Sequence, residues 1–126
     1  MKQWILAFRP KTLSAAVAPC VVAASFCWSE YRVFTTWIFL CALFSAICIQ
    51  IGTNLINDAK DFEKGTDRED RLGPQRLTQT GLVSAKKVFA MGSLFFLISF
   101  VLGIPLVLHG GWPIVVIGAL SILMGY

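Results

Sequence analysis

The stretch NDAKDFEKGTD, residues 57–67, places an amide and several carboxylates close together. Asn57 and Asp61 are four residues apart, so in a helix they lie on one face, and Asp58 shares much of that face with Asp61. Gly65 is expected to end such a helix, which puts Asp67 on the loop beyond it. Mg²⁺ prefers oxygen ligands and completes its shell with water and substrate phosphates. The spacing therefore makes this stretch a candidate Mg²⁺ site for a phosphate-bearing substrate.

The same charges also suit structures that bind no metal. Residues 54–81 contain six carboxylates and five Lys or Arg, and such a run is commonly a solvated loop whose acids pair with its own bases. An EF-hand fits poorly, because a loop that began at Asp61 would have its glycine at the fifth position and Leu72 at the twelfth. The sequence contains no P-loop pattern, and no His or Cys nearby favours zinc. The solvated loop and the Mg²⁺ site both stay open at this point.

The elements that would position these side chains are membrane helices. Of the 126 residues, 56% are apolar and only 14% are charged, and the mean hydropathy is +0.71. A soluble domain is about a quarter charged, and a membrane-spanning helix needs roughly 20 apolar residues. We therefore predict an all-α membrane protein with an Asp-rich loop at residues 57–87, and helices at 12–28, 33–56, 88–108 and 112–126.

The distribution of charge predicts the orientation of these helices. Lys2, Arg9 and Lys11 precede the first helix, and seven Lys or Arg lie in the loop 57–87, whereas the other two connections are almost free of positive charge. Because Lys- and Arg-rich loops stay in the cytoplasm, the N-terminus and the Asp-rich loop are predicted to be cytoplasmic. The net charge of +4 is explained by this topology and gives no indication of nucleic-acid binding.

Two further features bear on the kind of protein. The four cysteines all fall inside apolar runs without a CxxC pair, so neither a zinc site nor a disulfide framework is expected. The basic residues ahead of the first apolar run would also suit a signal peptide, but Pro19 directly before Cys20 is a poor match to a lipoprotein cleavage site, which favours a retained helix. The fourth helix would rise only about 22 Å of the roughly 30 Å required, so it is predicted to be truncated.

Three stretches of the sequence resemble the UbiA superfamily of intramembrane prenyltransferases. NDAKDFEKGTD is similar to the family's first aspartate-rich motif, commonly written NDxxDxxxD, with a longer gap between Asp61 and Asp67. The following DRLGPQRLTQTGLVS and the N-terminal WILAFRPKTLSAAVAP resemble the branch that prenylates 1,4-dihydroxy-2-naphthoate in menaquinone biosynthesis. The resemblance implies the first four helices of a nine-helix bundle, in which a second aspartate-rich loop follows later.

The resemblance also implies a reaction and a set of site residues. A polyprenyl diphosphate would bind through Mg²⁺ and transfer its prenyl group to an aromatic acceptor, dihydroxynaphthoate in this branch, within the bacterial inner membrane. Asp58 and Asp61 would be catalytic, and Arg71 and Arg76 would bind the diphosphate, because guanidinium groups match phosphate oxygens. By position in the motif, the metal ligands would be Asn57, Asp58, Asp61 and Asp67.

The chain matches only the front part of this family. No acidic residue follows Asp70, so a second aspartate-rich loop is missing and these residues alone are expected to be inactive. Three explanations stay open: the chain is a fragment of the enzyme, a second polypeptide supplies the missing helices, or the reading frame is truncated. The alternative hypothesis is a small non-catalytic membrane subunit whose charged cytoplasmic loop docks a partner.

Overall fold

The computed structural model describes residues 1–65, 77–78, 81 and 83–126. Regular secondary structure within these ranges is entirely helical. Three of the helices are long and apolar enough to cross a membrane, which confirms the predicted all-α membrane protein. In chain order the helices are α1 (Lys2–Ala7), α2 (Pro10–Tyr31), α3 (Thr36–Glu63), α4 (Ala85–Gly110) and α5 (Trp112–Gly125).

The helix α3 is longer than the apolar run that predicted it. It continues past residue 56 to Glu63, so the polar residues after the apolar run remain helical. Gly65 follows with a φ of +66°, a left-handed conformation that glycine adopts without steric cost and that is common after helix ends. The expectation that Asn57 and Asp61 share a helix that ends near Gly65 is confirmed.

The short helix α1 was not expected from the sequence. Its six residues carry too little apolar periodicity to stand out from the charged flank of the first span. The helix exists because Ala7 is buried in the core, with Trp4 and Phe8 packed against it. Arg9, with a φ of +51°, then reverses the local backbone before Pro10 starts α2.

Small residues bring α3 and α4 close together. A Cβ atom at Gly92 would lie 2.9 Å from Ile56 Cγ1 and 3.2 Å from the carbonyl oxygen of Gly52. Farther along the same pair of helices, the hydroxyls of Ser45 and Ser99 are 2.7 Å apart. Such small-residue contacts are typical of helix packing in membranes, where backbones must approach closely to gain van der Waals energy. We call the contact of Gly52 with Gly92 the glycine seam.

The buried core lies at the end of the bundle where α3 finishes and α4 begins. In contrast, α2 and α5 contain no buried residue, and their exposed apolar side chains suit contact with lipid or with further helices. The core therefore surrounds the polar end of α3 and fixes its position. The core cluster consists of Ala7, Ile51, Leu55, Ala59, Leu77 and Val88.

Candidate functional site

Four polar side chains follow one side of α3 near its C-terminal end. At about 100° per residue, Asn54, Asn57, Asp58 and Asp61 fall within roughly 100° of the helix circumference. We call these four residues the polar arc. Their exposure differs, because Asn54 and Asp58 are buried at 5% and 3% relative exposure, while Asp61 is half-buried and Asn57 is exposed. The arc thus has a closed side and an open side.

On the closed side, Asn54 fixes the junction between α1 and α2. Its side-chain amide donates one hydrogen bond to the carbonyl oxygen of Phe8 and a second to the hydroxyl of Thr12, both at 3.0 Å. The Thr12 hydroxyl in turn donates to the carbonyl oxygen of Arg9 at 2.9 Å. A left-handed non-glycine residue costs roughly 1–2 kcal/mol, and these bonds offset that cost at Arg9.

Asp58 binds Leu77 and Thr78, which we call the returning chain because they contact α3 again after the sequence has left it. One carboxylate oxygen accepts a hydrogen bond from the backbone N–H of Leu77 at 3.0 Å, and the other accepts one from the Thr78 hydroxyl at 2.9 Å. Leu77 and Thr78 are each only 2% exposed, and Leu77 belongs to the core cluster. Two charge-assisted hydrogen bonds in a buried setting are among the stronger polar contacts a fold can make.

The open side of the arc presents oxygen-bearing side chains to the surface. Asn57 and Asp61 are one helical turn apart and are the two arc residues with accessible side chains. Both offer hard oxygen atoms, which suit a divalent cation better than sulfur or nitrogen would. Within the described ranges, no group of three His, Cys, Asp or Glu side chains is arranged to hold a metal ion. Two oxygen ligands would fit Mg²⁺ only as part of a larger set.

The other predicted site residues lie outside the described ranges. They are Asp67, Arg71 and Arg76, so their roles stay predictions. The assignment of Asn57, Asp58 and Asp61 as metal ligands, and of Asp58 and Asp61 as catalytic, also stays a prediction. The structure does bring these three side chains to one end of one helix.

Sequence reasoning missed two contacts at this site. The spacing of Asn54 from Asp58, one turn along α3, could have indicated that both lie on the same face. The partners of these residues could not be found in that way, because Phe8 lies 46 residues from Asn54 and Thr78 lies 20 residues from Asp58. Only the folded arrangement shows that the closed side of the arc binds both neighbouring segments.

An apolar cavity of about 680 Å³ lies between α2 and α3. Its lining includes Cys27, Phe34, Ile38 and His109, which belong to the end of the bundle opposite the polar arc. Ile38 and Asn57 are separated by about 28 Å along α3. The cavity can hold hydrocarbon, but it cannot contribute to the chemistry of the polar arc.

Comparison with known proteins decides the family. The profile of the UbiA prenyltransferase family matches residues 16–126. The chain belongs to this family. Relatives within the UbiA family include the 1,4-dihydroxy-2-naphthoate octaprenyltransferase of Escherichia coli (strain K12), which is 38% identical over 85 residues, covering 68% of this chain and 27% of the relative. The enzyme of the same description from Mycobacterium leprae is 36% identical over 121 residues, covering 95% of this chain and 40% of the relative.

These UbiA relatives are much longer than the chain, which spans between about a quarter and two-fifths of their length. The matched region includes the whole polar arc, because the family profile covers every residue from 16 onward. No solved structure matches the chain with significance.

Proposed function

We propose that this chain forms part of an enzyme that transfers a polyprenyl group from polyprenyl diphosphate to an aromatic acceptor. The acceptor we propose is 1,4-dihydroxy-2-naphthoate, and the pathway is menaquinone biosynthesis. Five curated relatives with this description support the proposal, and the two named above exceed 30% identity over more than two-thirds of the chain. The remaining helices of the bundle would be supplied by further chain or by a second polypeptide.

One structural observation supports assigning particular residues to the substrate. The open side of the polar arc, Asn57 and Asp61, stands at the end of a helix apolar enough to cross a membrane. A polyprenyl diphosphate has the same division, with an apolar tail and a charged head. A site at the end of a membrane helix can bind the head while the tail remains among apolar side chains or lipid. We assign Asn57 and Asp61 to the head of the substrate.

We propose Mg²⁺ as the cofactor at this end of α3. The ligands would be Asn57, Asp61 and Asp67, with Asp58 on the same end of α3 as the first two. When bound, the ion would supply positive charge against the charge that develops on the diphosphate leaving group. The ligand set requires additional oxygens beyond the polar arc, which is consistent with the greater length of the relatives.

Basic residues of the Asp-rich loop complete the proposed site. Arg71 and Arg76 would bind diphosphate oxygens through their guanidinium groups. The concentration of Lys and Arg in the N-terminal segment and the loop supports a cytoplasmic position for both. We therefore propose that the protein lies in the bacterial inner membrane with the polar arc at the cytoplasmic surface.

The experiment uses membranes in which the chain is expressed together with the segment that completes the length of a relative. These membranes are supplied with octaprenyl diphosphate, dihydroxynaphthoate and Mg²⁺, and prenylated product is measured. Asp61→Asn should reduce product formation by about 10²-fold or more, as expected when a group that stabilises transition-state charge is lost. Glu63→Gln is the matched control, because Glu63 is an exposed carboxylate on the same turn but on the opposite side of α3.

Equal rates for Asp61→Asn and Glu63→Gln would remove Asp61 from the reaction. Absence of product with the complete set of helices and substrates would contradict the proposed activity itself. A Mg²⁺ titration of each variant distinguishes the loss of a metal ligand from a general loss of folded protein. Loss of a metal ligand raises the concentration of Mg²⁺ needed for half-maximal rate, whereas a general loss of folded protein does not.

A further inference from the structure

We propose that Leu77, Thr78 and Asp58 form a clasp that fixes the Asp58 carboxylate and residues 77–78 beside Asp61, at the site proposed for the diphosphate. This inference rests on the proposed prenyltransferase function and assigns Thr78 as a positioning residue for that site. Asp58 acts in the clasp through its contacts with the returning chain. The ligand that benefits is the diphosphate head of the substrate.

The clasp is defined by two donors of the returning chain and the two oxygens of one carboxylate. The Leu77 N–H and the Thr78 hydroxyl each bind a different oxygen of Asp58. The Thr78 oxygen is also 3.4 Å from the backbone carbonyl oxygen of Asp58. All three residues are at most 3% exposed, so water does not compete for these bonds. Two neighbouring residues are thereby fixed to one turn of α3.

The location of the clasp in the sequence gives it a functional consequence. Leu77 directly follows Arg76 in the sequence, and Arg76 is one of the two arginines proposed to bind the diphosphate. Asp58 is one turn from Asp61 on the same helix. The clasp therefore fixes the Asp58 carboxylate and residues 77–78 within about one turn of Asp61. A contact of this kind orders the site before the substrate binds, so less conformational entropy is lost on binding.

The structure supplies a matched pair of variants at Thr78. Thr78→Ser keeps the hydroxyl that donates to Asp58, whereas Thr78→Val keeps the shape and removes the donor. A second pair of variants, at Asp58, distinguishes loss of the clasp from loss of a metal-binding carboxylate. Asp58→Asn retains an oxygen for the Leu77 N–H and an amide group for the Thr78 hydroxyl, whereas Asp58→Ala removes both partners.

The first measurement is hydrogen–deuterium exchange of the chain in lipid nanodiscs. Exchange of the peptide that contains Leu77 should rise about tenfold to a hundredfold in Thr78→Val and more in Asp58→Ala, because each loses a buried bond to a charged group. Exchange in Thr78→Ser and Asp58→Asn should stay near that of the unaltered chain. Wild-type exchange in Thr78→Val and Asp58→Ala would overturn the clasp. This readout requires no enzymatic activity, so it stands even if the proposed reaction fails.

The second measurement tests positioning, in the completed membranes described above. Thr78→Val should raise KM for octaprenyl diphosphate about tenfold, while KM for dihydroxynaphthoate changes little and Thr78→Ser restores the original value. A loss of kcat with both KM values unchanged would contradict the positioning role, because it would indicate fewer folded molecules. Failure of the unaltered protein to turn over would reject the proposed function and leave the exchange experiment to decide the clasp.

Discussion

The glycine seam offers the sharpest test of how this bundle is held together. In Gly92→Ala the added methyl group would meet Ile56 Cγ1 at 2.9 Å and the Gly52 carbonyl oxygen at 3.2 Å. Ile56 is fully buried at 0% exposure, so its side chain has little room to change rotamer, and the Gly52 carbonyl is backbone and can move only with α3. Gly103→Ala is the matched control, because it lies in α4 with no atom within 4 Å of its added Cβ.

The magnitudes of the two variants can be separated. Replacing a helical glycine with alanine favours the helix by up to about 1 kcal/mol, and both variants gain this term. Only Gly92→Ala incurs the cost of overpacking, which is typically about 1–3 kcal/mol. The free energy of unfolding should therefore be lower in Gly92→Ala than in Gly103→Ala by about 1–3 kcal/mol. Each variant differs from the unaltered chain by less than the two variants differ from each other.

Reversible unfolding by SDS in mixed micelles measures this difference. The midpoint for Gly103→Ala should equal or exceed that of the unaltered chain, and the midpoint for Gly92→Ala should fall below both. Identical midpoints for the two variants would mean that α3 and α4 do not approach at Gly92. That result would rule out the glycine seam.

Two further predictions concern contacts that fix α3 to its neighbours. Asn54→Leu removes the hydrogen bonds to Phe8 and Thr12, at about 1 kcal/mol for each lost bond. Amide exchange in residues 2–12 should therefore rise, while exchange in α5 stays unchanged. Unchanged exchange in residues 2–12 would show that Asn54 does not hold the junction. With the four native cysteines replaced by alanine, Ser45→Cys combined with Ser99→Cys should form a disulfide under mild oxidation, because the two hydroxyls are 2.7 Å apart. Ser45→Cys with Ser93→Cys is the control that should not cross-link, since Ser93 lies about 9 Å farther along α4.

The sequence predicted the helices of this fold for a clear physical reason. A membrane span is set by the thickness of the hydrocarbon layer, so a run of apolar residues is informative without knowledge of its neighbours. The end of α3 was also predictable, because Gly65 adopts a backbone conformation that few other residues tolerate. The helix α1 was missed because its stability depends on Ala7 contacting a distant core.

The candidate site could be predicted only in part. The spacing of Asn57, Asp58 and Asp61 was enough to place them on one region of a helix, and the structure agrees. It could not distinguish the buried Asp58 from the accessible Asn57, because burial depends on where Leu77 and Thr78 return to the helix. Local spacing gives the direction of a side chain, whereas its environment is determined by contacts between segments far apart in sequence.

The register of α3 also limits how proteins of this family can change in length. Within seven consecutive residues, Gly52 meets α4, Asn54 meets the α1–α2 junction and Asp58 meets the returning loop. Inserting one residue among them would turn everything beyond it by about 100° and separate these contacts from one another. Insertions and deletions are therefore expected beyond Asp61, where the gap to Asp67 already departs from the commonest spacing of the motif.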